Sequence, residues 1–292
     1  MIRFHSISDL VALAEERRQP MSAIVQDFEI QRSQQSAQEI RNSMSASLRV
    51  MREAIAAGVR NREKSASGLT GGDAGLLMGY LATGRSLCGS SMGRAAAYAL
   101  AVSEVNACMG RIVACPTAGS CGILPGALIS VAESYNADDD AIMQGLFTAA
   151  GIGMVIAKNA SISGAQGGCQ AECGSAAAMA AGALVELAGG NPAQVSEALA
   201  MALKSVLGLV CDPVAGLVEV PCVKRNAFGA VQAVLAADMA LAGIKSMIPA
   251  DEVIEAMYKI GLALPVSLKE TSQAGLAKTP TAKKIEKQLY GR

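Results

Sequence analysis

Sulfur is the most concentrated chemistry in this chain. Four of the eight cysteines fall in two glycine- and proline-bearing stretches. The first reads Ser-Ile-Ser-Gly-Ala-Gln-Gly-Gly-Cys-Gln-Ala-Glu-Cys-Gly, from Ser161 to Gly174. The second reads Cys-Asp-Pro-Val-Ala-Gly-Leu-Val-Glu-Val-Pro-Cys, from Cys211 to Cys222. Cys169 and Cys173 are four apart, so a helix beginning there puts both on one face. Cys211 precedes Asp212-Pro213 and Cys222 follows Pro221, which predicts non-helical turns for both. Thiolates on turns of a rigid scaffold can hold an iron–sulfur cluster, which takes Cys at up to four corners. Three protein ligands would leave one iron open to water or a substrate. The spacing follows none of the ferredoxin patterns. A buried, purely structural set of thiols is the competing reading, and spacing alone leaves both open.

The other candidates are weaker. Cys88 and Cys108 sit beside or within helical patterns, where a free Cys is expected as a small hydrophobe. Cys115 and Cys121 lie in the Pro/Gly-rich run from Arg111 to Gly126, and a ligand role for them stays open. The single histidine, His5, is far from every glycine-rich turn, which argues against His catalysis and against a His-built zinc or iron site. No Gly-x-x-x-x-Gly-Lys-Ser/Thr run and no strand-borne Gly-x-Gly-x-x-Gly is present, so nucleotide phosphate binding is unsupported. Gly71-Gly72 gives way to a helix with Asp73 as a candidate N-cap, and such a helix start can bind an anion. An ordinary capped helix is the plainer alternative. Lys158 closes a helical pattern, either as a base lowered by burial or as a solvated C-terminal cation.

The elements that must position these residues read as helices. Hydrophobic residues make up 51% and aromatics 3%, with no Trp. Strand formers are thus scarce beside Ala, Leu and Met. Helical spacing covers Leu10 to Glu16, Ile24 to Ala56, a helix from Ala74, Gly93 to Met109 and Ala127 to Tyr135. It continues from Asp138 to Lys158, from Asn191-Pro192 through Val210, then Asn226 to Ile248, Asp251 to Ile260 and Ala282 to Tyr290. The fold class is all-α, one multi-helix domain over residues 1–292, with 1–67 as a possible helical appendage. Lys plus Arg equals Asp plus Glu and no basic stripe appears, which disfavours nucleic acid. The most apolar run, Ala141 to Ala157, carries Gln144 and three glycines and reads as a core helix, not a membrane span. Acidic residues at Asp9, Glu15 and Glu16 and no apolar h-region argue against a signal peptide, so the expected compartment is the cytoplasm. In a long intracellular chain, eight cysteines point to metal or catalysis before disulfides.

Several runs resemble the α subunit of the iron–sulfur-dependent bacterial L-serine dehydratases, also called L-serine deaminases. They are Ser67 to Asp73 (Ser-Gly-Leu-Thr-Gly-Gly-Asp), Pro116 to Ser120, Lys158 to Ala165 and Gly168 to Glu172. Cys211 to Cys222, Arg225 to Ala227 and Lys269 to Ala277 complete them. The resemblance implies a [4Fe–4S] cluster on Cys169, Cys211 and Cys222, and no pyridoxal phosphate. It implies β-elimination of water from L-serine to pyruvate and ammonia, with the open iron as Lewis acid on the hydroxyl. Thr70, Gly71 and Gly72 are then candidate donors to the substrate carboxylate. Ser161, Ser163 and Asn226 are further substrate contacts, and Lys158 and Ser163 are catalytic candidates. Two departures stand out. The Ser-Ser-Ser-His-Thr motif of single-chain relatives is missing, which implies a separate β subunit and a hetero-oligomer. The chain ends Leu-Tyr-Gly-Arg, without the Cys-bearing tail that reaches the cluster in single-chain relatives. An iron–sulfur L-cysteine desulfidase and a non-catalytic cluster scaffold or sensor are the alternatives.

Overall fold

Small side chains set how closely these helices nest. The computed structural model describes residues 2–291, and among them are thirteen α-helices and no strand. Helix α9 (Ser175–Leu187) is the hub, with every residue from Ser175 to Val185 buried. An alanine-rich helix buried all round can be approached on every side. Around it pack α6 (Ile123–Tyr135), α7 (Asp139–Asn159), α10 (Pro192–Lys204) and α11 (Cys222–Leu241). Outside them lie α5 (Gly89–Ala107), which packs on α6 and α11, and α4 (Asp73–Leu81), which packs on α5. A Cβ at Gly126 would lie 2.7 Å from the backbone nitrogen of Ala99, so α5 and α6 all but touch.

Helix α7 is, among the described residues, the one helix long and apolar enough to cross a membrane. Of its apolar stretch 67% is buried against the rest of the chain, as a core helix requires. The opening segment forms three helices instead of two: α1 (Ile7–Arg17), α2 (Met21–Ser33) and α3 (Ala37–Arg60). Gln34 in a left-handed conformation and the Ser36 capping box interrupt the long pattern predicted from Ile24 to Ala56. Ile7, Leu10, Ile24 and Leu48 from these helices join the main core. The short α8 (Gly164–Gly167), α12 (Ala250–Ala263) and α13 (Pro280–Tyr290) complete the set.

Several predicted boundaries move, among them the start of α5, at Gly89 instead of Gly93, and the end of α11, at Leu241 instead of Ile248. Helix α10 stops at Lys204, six residues before Val210, and turns follow. Helix α6 starts at Ile123 with Pro125 in its first turn, where a proline removes no helical hydrogen bond. Helix α11 starts at Cys222 itself, not at Asn226, with Pro221 as its cap.

Several helix starts are capped by carboxylates from elsewhere in the chain. The Asp251 carboxylate accepts from Ile7 N at 2.7 Å and Ser8 N at 3.0 Å. Helix α2 has Pro20 as its cap and no side-chain acceptor of its own. Glu186 on α9 fills that role, accepting from Ser22 N at 3.3 Å and from Thr148 Oγ1 at 2.7 Å. Burial, the largest influence, raises the Glu186 carboxyl above its ordinary 4.5, against the hydrogen bonds that lower it. Glu186 therefore holds its proton more tightly folded than unfolded. The associated stability is complete below pH 4.5 and is lost as pH rises through the raised folded value. Glu186→Gln lacks this dependence. In thermal melts, wild-type stability minus that of E186Q should be larger in acid and shrink towards neutrality. A flat difference, or one that grows with pH, would contradict the assignment.

Candidate functional site

The two cysteine-bearing stretches meet in space. The chain leaves α8 and enters a π-helical turn from Gln170 to Gly174 that runs straight into α9. Such wide turns inside helices often mark functional sites. Cys169 is its N-terminal cap residue, and its Sγ lies 3.3 Å from the Cys173 Sγ, so the two share one face as expected. Gln170, fully buried, fixes this turn. Its Nε2 donates to Gly167 O at 2.9 Å and Met257 O at 3.0 Å, and its Oε1 accepts from Gly208 N at 2.9 Å. Its own N–H donates to Leu209 O at 3.0 Å. Two residues on, Cys211 pairs with the C-terminal segment. Cys211 N donates to Leu268 O at 2.9 Å and Glu270 N donates to Cys211 O at 2.8 Å.

Arg225, on the first turn of α11 beyond Cys222, ties these parts together. Its guanidinium donates to Val210 O at 2.8 Å and to Asp212 Oδ1 at 3.0 Å. It also reaches the Cys169 sulfur. Asp212, buried, accepts from Leu276 N at 2.8 Å with its other oxygen. Asn226 braces the remaining loop. Its Nδ2 donates to Gly119 O at 2.8 Å and Cys222 O at 2.9 Å, and its Oδ1 accepts from Gly122 N at 2.9 Å. Both Nδ2 hydrogens are thus committed inside the protein, so Asn226 acts as a brace and does not present a donor to a substrate.

Cys169, Cys211 and Cys222 are all free and buried. Each lies within electrostatic reach of the other two. Burial pushes the Cys222 thiol up to about 12 and pushes Cys211 up as well, with the neighbouring sulfurs and Glu172 adding to it. Cys169 is drawn below its ordinary value by the Cys173 hydrogen bond and, against burial, by Arg225. Cys173 is driven well up by the same hydrogen bond and by burial. Among the described residues, no three His, Cys, Asp or Glu side chains converge tightly enough to share one metal ion. A multi-iron cluster demands something different, thiols set apart so that each takes its own iron. Three free buried thiols from three segments, with a guanidinium beside them to offset thiolate charge, fit that demand.

Glycine makes room at this point. A Cβ at Gly164 would lie 3.0 Å from Cys211 Sγ and 2.9 Å from Glu172 Oε2. Glu172 accepts from Thr117 Oγ1 at 2.9 Å, and burial raises its carboxyl. Neither Glu172 nor Gln170 was singled out from sequence. The only signal was their place within the Gly168 to Glu172 run.

The other candidates divide. The loop before α4 is tied to the Cys211–Cys222 loop, because Glu219 accepts from Ser65 Oγ at 2.6 Å and Ser67 Oγ at 2.8 Å. Thr70 is buried and its Oγ1 makes no hydrogen bond. Gly72, at φ 86°, is the cap of α4 in place of the expected Asp73. The N–H groups of Asp73 and Ala74 already face the buried Glu104 carboxylate, at 2.7 and 3.4 Å. Gly71 O accepts from Lys64 Nζ at 2.8 Å. Ser161 Oγ donates to Gln166 Oε1 at 2.8 Å and caps Ser163 N at 3.1 Å. Ser161 also lines a cavity of about 550 Å³ with Gly167, Met257 and Lys269. Ser163 is the cap residue of α8, with no side-chain cap bond. Lys158 is exposed in the last turn of α7, against the His5 ring, which matches a solvated C-terminal cation and not a buried base.

The remaining cysteines also differ from expectation in part. Cys115 and Cys121 are buried in the core, and burial raises both thiols. Cys88 and Cys108, expected as packed hydrophobes, cap the two ends of α5 and are exposed.

The fold and site together describe an all-helical protein whose buried thiols converge from the cap of a π-helical turn, the Cys211 loop and the first residue of α11, where Cys222 is helical instead of on the expected non-helical turn. The sequence family described as serine dehydratase alpha chain matches residues 15–277, and the chain belongs to that family. It is 51% identical over 288 residues to the probable L-serine dehydratase, alpha chain, of Bacillus subtilis (strain 168), covering 99% of this chain and 96% of that one. It is 43% identical to the L-serine dehydratase, alpha chain, of Peptoniphilus asaccharolyticus, over 96% of both chains. The L-serine dehydratase of Streptomyces coelicolor is 40% identical over 94% of this chain but only 60% of its own length.

Packing at Gly164 offers a direct check. Gly164→Ala should lower stability by about 1–3 kcal/mol in denaturant melts, because the new methyl meets both a thiol and a carboxylate. Gly79, exposed on α4 with nothing within 4 Å of its missing Cβ, is the comparison, and Gly79→Ala should be neutral or stabilising by about 0.5–1 kcal/mol. Equal behaviour of the two variants would mean that the Gly164 gap is not needed.

Proposed function

We propose that this chain is the α subunit of an iron–sulfur L-serine dehydratase, which removes water from L-serine and yields pyruvate and ammonia. The observation that carries the reading is the meeting of Cys169, Cys211 and Cys222 as free, buried thiols in a chain of the serine dehydratase alpha family. These three would hold a [4Fe–4S] cluster, and no pyridoxal phosphate takes part. When bound, iron with an open position supplies Lewis acidity to a hydroxyl that is otherwise a poor leaving group. The chain's own residues do the rest. Arg225 offsets negative charge at the thiols and keeps Asp212 and the Val210 carbonyl in register. Thr70, with its buried and unpartnered Oγ1, is the best-supported substrate donor in its loop. Gly71 and Gly72 shape that loop, and Ser161 and Ser163 line the approach from α8. Lys158 would need a partner surface over it to act as a base.

A β subunit is part of the proposal. The alpha chains of Bacillus subtilis and Peptoniphilus asaccharolyticus match over almost their whole length, whereas the Streptomyces coelicolor enzyme carries length that this chain does not match. Large apolar side chains stand exposed on the elements around the site, Leu76 on α4, Val218 in the cysteine loop and Phe228 on α11. A covering chain would bury them and exclude water from the elimination. The eight free cysteines suit a reducing compartment, the cytoplasm.

Two measurements test this. After anaerobic reconstitution with iron and sulfide, Cys169→Ser, Cys211→Ser and Cys222→Ser should each lose nearly all cluster absorption, and Cys88→Ser should keep it. A full cluster in any of the three removes that ligand. Next, the loaded α chain should deaminate L-serine slowly alone and fast with its β subunit, without added pyridoxal phosphate. A preference for L-cysteine would mark a desulfidase. A loaded complex inert towards both would mark a scaffold or sensor.

A further inference from the structure

Glu172 is a carboxylate without a counter-charge. Among the described residues no Lys, Arg or His nitrogen lies within ion-pair distance of it, and the neighbouring carboxylate that acts on it, Glu270, is equally negative. Arg225, which reaches the Cys169 sulfur, is already paired with Asp212 and Val210 O. One oxygen, Oε1, accepts from Thr117 at 2.9 Å, and Oε2 has no hydrogen-bond donor. Partly buried carboxylates of this kind are ordinarily paired with a cation or several donors.

Two glycines from different segments let the backbone pack closely against this carboxylate. A Cβ at Gly119 would come 3.2 Å from both oxygens, and a Cβ at Gly164 would come 2.9 Å from Oε2. The Gly164 position is also the one that lies 3.0 Å from Cys211 Sγ. Gly164 thus lies against both the carboxylate and one of the three converging thiols, which makes the two close neighbours. Thr117 and Gln170 hold the Glu172 turn from either side, so the carboxylate is preorganised.

We propose that Glu172 is the substrate-binding residue that receives the α-ammonium of L-serine. This rests on the serine reading above and adds to it. Serine is a zwitterion, so a site that draws its carboxylate and hydroxyl towards iron must also meet a cation within the reach of one Cα. Glu172 is a partly buried, unpaired anion next to the thiols, whereas Glu270 is exposed, and an N⁺–H···O⁻ contact would supply its missing partner. Specificity for an α-amino acid over a plain hydroxy acid would then come from this one side chain.

The test uses the cluster-loaded chain with its β subunit and two ligands. L-Serine carries the ammonium; 3-hydroxypropionate keeps the carboxylate and β-hydroxyl in the same relation and has none. Dissociation constants come from the ligand-induced change in the visible spectrum, read by rapid mixing for L-serine before turnover and at equilibrium for 3-hydroxypropionate. Glu172→Gln should keep its iron content and weaken L-serine by about 10- to 100-fold, the scale of one charge-assisted contact, with 3-hydroxypropionate changed by no more than about twofold. Glu172→Asp should fall between, and it alone decides the matter if E172Q does not fold. Unchanged L-serine affinity overturns the proposal, as does an equal loss for both ligands. Loss of iron from both variants overturns it too, since the carboxylate would then hold the cluster. If the wild-type complex gives no response to L-serine, the serine reading fails first and this one with it.

Discussion

The Arg225–Asp212 pair is the interaction on which the site depends. One guanidinium bonds Val210 O and Asp212 and reaches the Cys169 sulfur. Asp212 passes the connection on to Leu276 N in the C-terminal segment. Four pieces of chain, the π-helical turn, the Cys211 loop, the first turn of α11 and the segment before α13, are thereby held at one point. Arg suits this task because its planar fork can donate in several directions without losing charge. The Asp212 side chain is 4% exposed and that of Arg225 is 18% exposed, so the pair is shielded and removing one partner would leave the other buried alone.

Around this junction the chain uses buried polar side chains as braces. Gln170 satisfies two carbonyls and one amide, and Asn226 does the same for the loop before α6. Glu219 binds two serine hydroxyls and so joins the loop before α4 to the cysteine loop. A fully satisfied network of this kind in a low-dielectric setting specifies one arrangement of loops that have no regular secondary structure of their own. The helices supply rigidity, and the braces supply position.

Carboxylates have a second use in this fold. Asp251, Glu104 and Glu186 each meet the N-terminal amides of a helix distant in sequence. A helix start exposes unpaired N–H groups and the positive end of its dipole. When the next helix covers that end, the acceptor has to come from the covering helix. Glu104 thereby occupies the amides of α4 that the sequence offered as an anion site.

Most of the architecture is legible in the sequence. Ala-rich, aromatic-poor periodicity gives an all-helical fold, and Asp138 and Asn191 mark helix starts that the structure keeps, while the helix expected from Ala282 opens two residues earlier at Pro280. The four-residue spacing of Cys169 and Cys173 fixes their shared face, because neighbours at that separation meet in any helical turn. What sequence could not decide was which side chains face each other across the fold. Asn226 reads as a substrate contact, yet its amide hydrogens go to Gly119 and Cys222. Lys158 read as a possible buried base, yet the end of α7 is exposed. Glu172 carries no signal beyond its motif, because the lack of an ion-pair partner among the described residues is a property of three-dimensional surroundings and not of its neighbours in the chain. Local spacing and propensity act over a few residues and are written in the sequence. Burial, counter-charge and the partners of a polar side chain depend on segments tens of residues apart, and only the tertiary structure determines them.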